Sequence, residues 1–531
     1  MDSLATPGRR GRTQMTIAVI AAVTGVVLLV AAVAGGCAIT RRQAAGIAAA
    51  PSGEAGEVDA TASAAATPSV TASPAPGACG RYAFDKPGVA GLRSAKKKAF
   101  AFYFPPYPIS IENKPPAGDY WAKWTTEEGR GATGTKQGEE LLDRPIGRSP
   151  LSSPAWRQKD FETEIRQAIA MGLDGFIWEY HSVSSDARWT RLPEMLAAAK
   201  AVDPGFRIML SPDLQQGADT APEQIVTDML KVKNETALHR VDGKIVMAPF
   251  YPERKTAAWW DGVRSTLAAQ GVPTVLVPIF LSGSPNVRAA AWNASVHGYS
   301  IWGNRWVGGA DSLRKGALEA HAHGRAYMAP IAFEDTRVHS GRFWESSNSG
   351  ALRAQMEKAI AGGADWLALI TWNDYSESWM APSVKRGYAV GDLVAYYTTW
   401  FKTGKRPALK RDALYYFHRS HRTDAPYDTS KQQIAMRIDA GDPATDNVEL
   451  LAFLSAPGRL VIRQGGTVRT KDVAAAGMVS FTAPMVPGTT PSFEIQRAGA
   501  TVRTLVSKTP IRARVTYQEM MYHAGGGTAC R

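Results

Sequence analysis

Asp374 and Glu377 stand three residues apart in the run Trp372-Asn373-Asp374-Tyr375-Ser376-Glu377-Ser378-Trp379. Two carboxylates at this spacing could divide the proton transfers of glycosidic-bond cleavage, one protonating the leaving oxygen while the other acts on the opposite face. The neighbours fit the same chemistry. The Asn373 amide can meet sugar hydroxyls, and Trp372, Tyr375 and Trp379 offer flat apolar rings to the C–H faces of a sugar. The spacing also reads as a helix capping box, in which Asp374 accepts from a backbone N–H and Glu377 reaches back. The flanking tryptophans favour the site, because a cap needs no aromatic neighbours and exposed aromatics are costly unless something binds them.

The elements that must position this run begin with an unbroken apolar stretch at 366–370, which reads as a strand buried on both faces. Its chemistry should lie at the C-terminal end. Short apolar strands alternate with amphipathic helices over residues 98–403. Strands are predicted at 99–104, 175–179, 207–211, 244–248, 274–279, 298–302, 325–329 and 365–372, and helices at 154–171, 192–201, 223–235, 257–269, 311–321 and 350–361. The pattern predicts a (β/α)8 barrel over 79–406. A doubly wound sheet is disfavoured, since no glycine-rich phosphate turn follows the first strand. Barrel sites gather at the C-terminal strand ends, which singles out 103–107, 179–181, 211–213, 249–251, 302–306, 330–335 and 372–377.

Past residue 407 the pattern changes to short alternating segments at 433–438, 448–455, 459–464, 478–483, 492–496 and 501–505. They predict an all-β, sandwich-like domain over 407–531. Such a domain could bind a polysaccharide or cover the barrel's flank, and the scarcity of aromatics on its strands favours covering.

At the amino terminus, residues 15–39 carry no charge and lie between Arg9, Arg10 and Arg12 on one side and Arg41 and Arg42 on the other. The stretch is long enough to span a bilayer, and the basic excess before it predicts a cytoplasmic amino terminus with an exported body. Three readings of 1–43 stay open: a retained transmembrane anchor, a signal peptide cleaved after Ala32-Val33-Ala34, or a lipoprotein at Ala34-Gly35-Gly36-Cys37. All place the body outside the cytoplasm. Residues 44–78, rich in Ala, Ser, Thr and Pro, cannot bury a core and read as a disordered linker. Cys79 and Cys530 bracket the body and could pair in an oxidising compartment, the alternative being two separate thiols.

Other chemistries find little support. The formal charge of +13 comes from scattered basic residues with no nucleic-acid motif, so no nucleic-acid partner is expected. The nine histidines form no His-Glu-x-x-His, and His321-Ala322-His323 reads as a solvated pair, so neither metal nor other cofactor is expected. No Gly-x-Ser-x-Gly elbow follows a strand.

The run Thr371-Trp372-Asn373-Asp374-Tyr375-Ser376-Glu377-Ser378 resembles the eighth-strand signature Thr-Trp-Asn-Asp-Tyr-Gly-Glu-Ser of glycoside hydrolase family 71, the α-1,3-glucanases or mutanases. Ser376 replaces the glycine, a change expected to affect loop shape more than chemistry, and Trp379-Met380-Ala381 replaces the family's His-Tyr-Ile. Weaker similarities are Gly172-Leu173-Asp174-Gly175-Phe176, Ser211-Pro212-Asp213, Asp242-Gly243-Lys244, Gly298-Tyr299-Ser300-Ile301-Trp302 and Tyr327-Met328-Ala329-Pro330. The resemblance implies a barrel with a carboxyl-terminal β-sandwich, hydrolysis of α-1,3-glucosidic bonds with inversion, no metal, and a catalytic pair at Asp374 and Glu377. Which acid donates the proton stays open.

Asp213 is assigned to substrate binding, with helix capping as its alternative. Glu179, Trp302, Trp306 and Glu334 are subsite candidates by position, beside Trp372, Asn373, Tyr375 and Trp379 in the motif. A monomeric enzyme with a polysaccharide substrate is expected, held at the membrane if residues 15–39 are retained. A hydrolase of another α-glycan, such as a mannan or mixed α-glucan, and a non-catalytic envelope glycan-binding protein are the alternatives.

Overall fold

A computed structural model describes residues 80–125, 141–181, 186–215 and 220–529. Residues 1–43, read as anchor, signal or lipoprotein segment, residues 44–78, read as linker, and Cys79 and Cys530 lie outside these residues, so the readings made of them stay expectations. Gly80–Arg531 forms one compact unit.

The unit is built on a curled sheet of nine parallel segments. Strand β1, Lys98–Tyr103, lies between β2, Gly175–Tyr180, and β9, Trp366–Leu369. From β2 the pairing runs through β3, Arg207–Pro212, to β4, Lys244–Met247, and then to β5, Thr274–Leu276. From β9 it runs through β8, Ala326–Ile331, and β7, Gly298–Ile301, to β6, Ile279–Phe280. Only Val277 and Pro278 separate β5 from β6, where the sequence reads as one strand. Proline has no N–H to donate, which interrupts the run. The Pro278 carbonyl still accepts from Ser300 N at 3.1 Å.

Both faces of this sheet are apolar, which is why its strands read as continuous hydrophobic runs. Phe102, Ile177, Met209, Val246, Met328 and Ala368 fill the concave side. Alternate residues such as Tyr103, Trp178, Leu210 and Leu367 pack outward in the main core. Arg240–Val241 adds a short antiparallel strand beside β4, and because the nine parallel segments run the same way, their C-terminal ends share one rim.

The six expected helices form, as Trp156–Ala170, Leu192–Val202, Pro222–Val232, Ala257–Ala269, Asp311–Ala322 and Gly350–Gly362. Among the described residues, two longer helices were not expected, besides the short ones at Val89–Arg93, Tyr120–Trp124 and Ala187–Thr190. Pro285–Trp292 is mostly alanine and polar residues with no apolar stripe, and Ala389–Thr403 is buried almost all round, so neither carries a one-sided signal.

The carboxyl-terminal residues form two four-stranded sheets sharing a core that includes Leu414, Leu450, Leu460 and Phe493. Three strands escaped the sequence reading. Ala413–His418 is buried throughout and does not alternate; Thr467–Val473 is an exposed, polar edge; His523–Thr528 contains three glycines. Those glycines permit close packing, since a Cβ on Gly525 would come within 2.7 Å of the Tyr416 hydroxyl. The expected strand at 433–438 shrinks to Arg437–Ile438.

Candidate active site

Beyond β9 the chain folds into a tight antiparallel hairpin, Asn373–Asp374 against Ser378–Trp379. Glu377 N donates to Asp374 O at 3.2 Å and closes the turn. Thr371 braces it, donating from Oγ1 to Ser378 O at 2.6 Å and accepting from Asp374 N at 2.8 Å. No helix starts here, so the capping-box alternative falls, and the turn instead sets the two carboxylates at its two ends. Asp374 Oδ1 accepts from Ser376 N at 3.2 Å and from Ser376 Oγ at 2.6 Å. Ser376 therefore touches the carboxylate itself, where the sequence leads one to expect an effect on loop shape more than on chemistry.

A second strand end meets this turn. Past β8 the chain presents Asp335 and Arg337, and Thr336 N donates to Glu377 O at 2.9 Å. Arg337 is shared, with Nε 2.8 Å from Asp335 Oδ1 and Nη2 2.8 Å from Glu377 Oε2. Arg305, past β7, reaches Asp335 Oδ2 at 3.2 Å. Three buried carboxylates thus face two guanidiniums, and the excess negative charge favours keeping one proton in the cluster. Burial pushes Glu377 up to about 8, against Arg337 and reinforced by the charges of Asp374 and Asp335. Burial also raises Asp374, to about 6, but the Ser376 bonds and Arg337 oppose it. Burial acts on Asp335 too, yet its two arginines hold it below the usual carboxylate range. The retained proton belongs on Glu377.

Across the rim, β2 and β3 deliver Glu179 and Asp213. His181 Nε2 lies 3.1 Å from Asp213 Oδ2 and 3.6 Å from Glu179 Oε1, and its Nδ1 lies 3.3 Å from Asp186. Burial opposes its charge, but the three carboxylates raise the imidazole to about 10. Arg188 adds a cation 3.3 Å from Glu179. Glu179, His181 and Asp213 have ligand atoms within 4.8 Å of one another, as a metal would require. Arg188 and the imidazolium already supply positive charge to these carboxylates. Ser211, in register with Glu179, is fully buried, and its Oγ has no hydrogen-bond partner among the described residues.

A sequence model of glycosyl hydrolase family 71 matches residues 152–523. The chain belongs to this family. It is a glycoside hydrolase. It is similar to the glucan endo-1,3-alpha-glucosidase agn1 of Schizosaccharomyces pombe, with 25% identity over an alignment of 375 residues that covers 65% of this chain and 85% of the relative. It is also similar to the mutanase Pc12g07500 of Penicillium rubens, with 21% identity over 65% of this chain and 80% of that protein. Among solved structures, the GH99 endo-alpha-mannosidase from Bacteroides thetaiotaomicron matches 57% of this chain and 97% of its own, with 13% identity and a TM-score of 0.46.

In this family 71 hydrolase several expected substrate contacts are core residues instead. Trp372 is fully buried, with Nε1 donating to Glu164 at 3.2 Å. Asn373 spends its amide on backbone, donating to Tyr107 O at 2.7 Å and Phe104 O at 3.0 Å and accepting from Phe104 N. Tyr375 and Trp379 pack with Trp121 in a separate apolar cluster. Glu334 turns away from Asp335 to pair with Arg386 and to accept from Tyr522 N at 2.9 Å. Trp306 packs its ring against Gly441. Trp302 stays at the rim, partly exposed, beside Phe102, Phe250 and Arg305. Asp213 does not cap the following helix, which begins only at Pro222; its second oxygen accepts from Gln215 N at 2.7 Å. His321 and His323 are engaged separately, with Asp365 and Asn286.

Sequence reasoning missed Asp335, Arg337 and Arg305. Asp335 and Arg305 lie inside the strand-end windows, so position could have found them; their neighbours Glu334 and Trp306 were chosen instead. Arg337 lies two residues past its window.

Proposed function

We propose that this enzyme hydrolyses α-1,3-glucosidic bonds of a polysaccharide with inversion, using Glu377 as general acid and Asp374 as general base. The observation that carries the assignment is the single turn placing both carboxylates in one cluster while their environments separate their proton affinities. Between about 6 and 8, Glu377 holds a proton for the leaving oxygen and Asp374 is ionised to activate water. The names of the two curated relatives support the α-1,3-glucan substrate. Inversion requires room for a water between the acids, about 6.5–9.5 Å from one carboxyl to the other. Glu179, Asp213, His181 and Ser211 suit sugar hydroxyls, and Trp302 suits a ring face.

The same reading takes the curled sheet as a (β/α)8 barrel, because pairing continues on both sides of the Pro278 break, and the carboxyl-terminal sheets as a β-sandwich. It places a monomeric body outside the cytoplasm, with residues 15–39 as anchor or signal and a Cys79–Cys530 bond.

The test is incubation with α-1,3-, α-1,4- and α-1,6-glucans and mannan, reading reducing ends, with proton NMR of the first product. The expected result is cleavage of the α-1,3-glucan with release of the β-anomer. Preference for another glycan would overturn the substrate, and a first-formed α-anomer would overturn inversion.

A further inference from the structure

The carboxyl-terminal sheets reach the back of the catalytic turn. Their last strand, His523–Thr528, pairs along Ala413–His418, and Tyr522, immediately before it, lies against Glu334 and Arg386. Arg386 gathers three segments. Its Nη2 bonds Glu334, one residue before Asp335; its Nη1 donates to Trp379 O at 2.9 Å, two residues after Glu377; its Nε donates to Tyr522 O at 3.1 Å. The guanidinium also lies 3.7 Å from the Trp379 ring centroid. Glu334 closes the knot by accepting from Tyr522 N at 2.9 Å. The Arg386 and Glu334 side chains are each 1% exposed, so neither can touch a substrate.

We propose that Arg386 is a positioning residue for Glu377, and that the carboxyl-terminal sheets, through Tyr522, brace the two strand-end segments that form the acid cluster. The segments after β8 and β9 are joined at their front by Thr336 N to Glu377 O and by Arg337 across Asp335 and Glu377. Behind them, among the described residues, the Arg386 guanidinium alone reaches both Glu334 and Trp379 with a fixed, planar set of donors. A lysine there would keep the charge but could not serve three acceptors in one plane. The sheets then do more than cover a flank, since their final segment supplies the surface on which the acid is aimed. General acid catalysis depends on aim, and a displacement of about 1 Å can cost about a hundredfold in rate.

This inference rests on Glu377 as the proton donor, and the test separates the two. Arg386→Lys, Glu334→Gln and Glu377→Gln are prepared in the full chain, checked by thermal melting, and assayed on α-1,3-glucan and on an α-glucosyl fluoride, whose fluoride leaves without a proton. Glu377→Gln should lose the glucan reaction and keep the fluoride reaction; loss of both overturns Glu377 as the acid. If that control holds, Arg386→Lys should lose about a hundredfold on glucan while changing by less than about threefold on the fluoride. Glu334→Gln, whose amide oxygen can still accept from Tyr522 N, should lose less but with the same bias, and it carries the test if Arg386→Lys does not fold. Equal losses on both substrates, or no loss on either, in the folded variants would overturn the positioning role.

Discussion

The Ser376 hydroxyl donates to Asp374 Oδ1 at 2.6 Å, and the Ser376 N–H donates to the same oxygen at 3.2 Å. Both donors sit on one oxygen of the proposed base, leaving Oδ2 for water. A hydrogen bond to the charged form lowers a carboxyl pKa. Ser376→Ala removes the hydroxyl and keeps the N–H, so Asp374 should become more basic. The acid limb of the pH profile of kcat/KM is expected to move up by roughly half a unit to one unit, which lowers activity at neutral pH by no more than about twofold. An unmoved limb would mean that the hydroxyl only shapes the turn.

Asp374→Asn and Glu377→Gln should each lower turnover on glucan by about a hundredfold or more, the scale of general acid–base contributions. Neither change alters side-chain size much, and thermal melting should show folded protein. Near wild-type turnover in either variant would remove that residue from the catalytic pair.

The pH profile of the unmodified enzyme follows from the same two groups. Activity should rise as Asp374 loses its proton near 6 and fall as Glu377 loses its own near 8. On the fluoride substrate, whose leaving group needs no proton, the alkaline limb should be absent in the unmodified enzyme and in Glu377→Gln, and the acid limb should remain in both. A single limb in the unmodified enzyme acting on glucan, or an optimum outside this window, would contradict the division of roles.

Most of the sheet is legible in the sequence because its strands are buried on both faces and read as apolar runs; Pro278 is the one place where a run expected as continuous breaks. The site is legible only in part. Sequence shows that aromatic and acidic residues gather at a strand end, but not which way each side chain turns. Glu334 and Asp335 are adjacent acids in one window, yet one faces Arg386 and the other Arg305 and Arg337. Trp372 and Trp379 look like sugar platforms by composition and are core by geometry. The arginines of the acid cluster read as scattered surface charge until the fold brings Arg305 and Arg337 together. The strand His523–Thr528 was hidden by its glycines, and with it the link from Tyr522 to the catalytic turn.

Glu164 offers a stability prediction independent of catalysis. It is fully enclosed, accepting from Tyr103 Oη at 2.8 Å and from Trp372 Nε1 at 3.2 Å. Burial raises its pKa to about 8 although both bonds oppose the rise. A carboxyl whose folded-state pKa lies above its unfolded value stabilises the fold fully below the unfolded pKa, and that contribution is lost as pH rises through the folded one. For Glu164 the loss runs from about 4.5 to about 8. Glu164→Gln removes the titration and keeps one oxygen, which can accept from Trp372 Nε1 while its amide N–H donates to the Tyr103 hydroxyl oxygen. Relative to the unmodified enzyme, the variant should gain stability as pH rises from 5 to 9, by an amount on the order of 2–4 kcal/mol. Urea unfolding at several pH values measures the difference. A difference that stays constant across that range would show that Glu164 keeps one protonation state throughout.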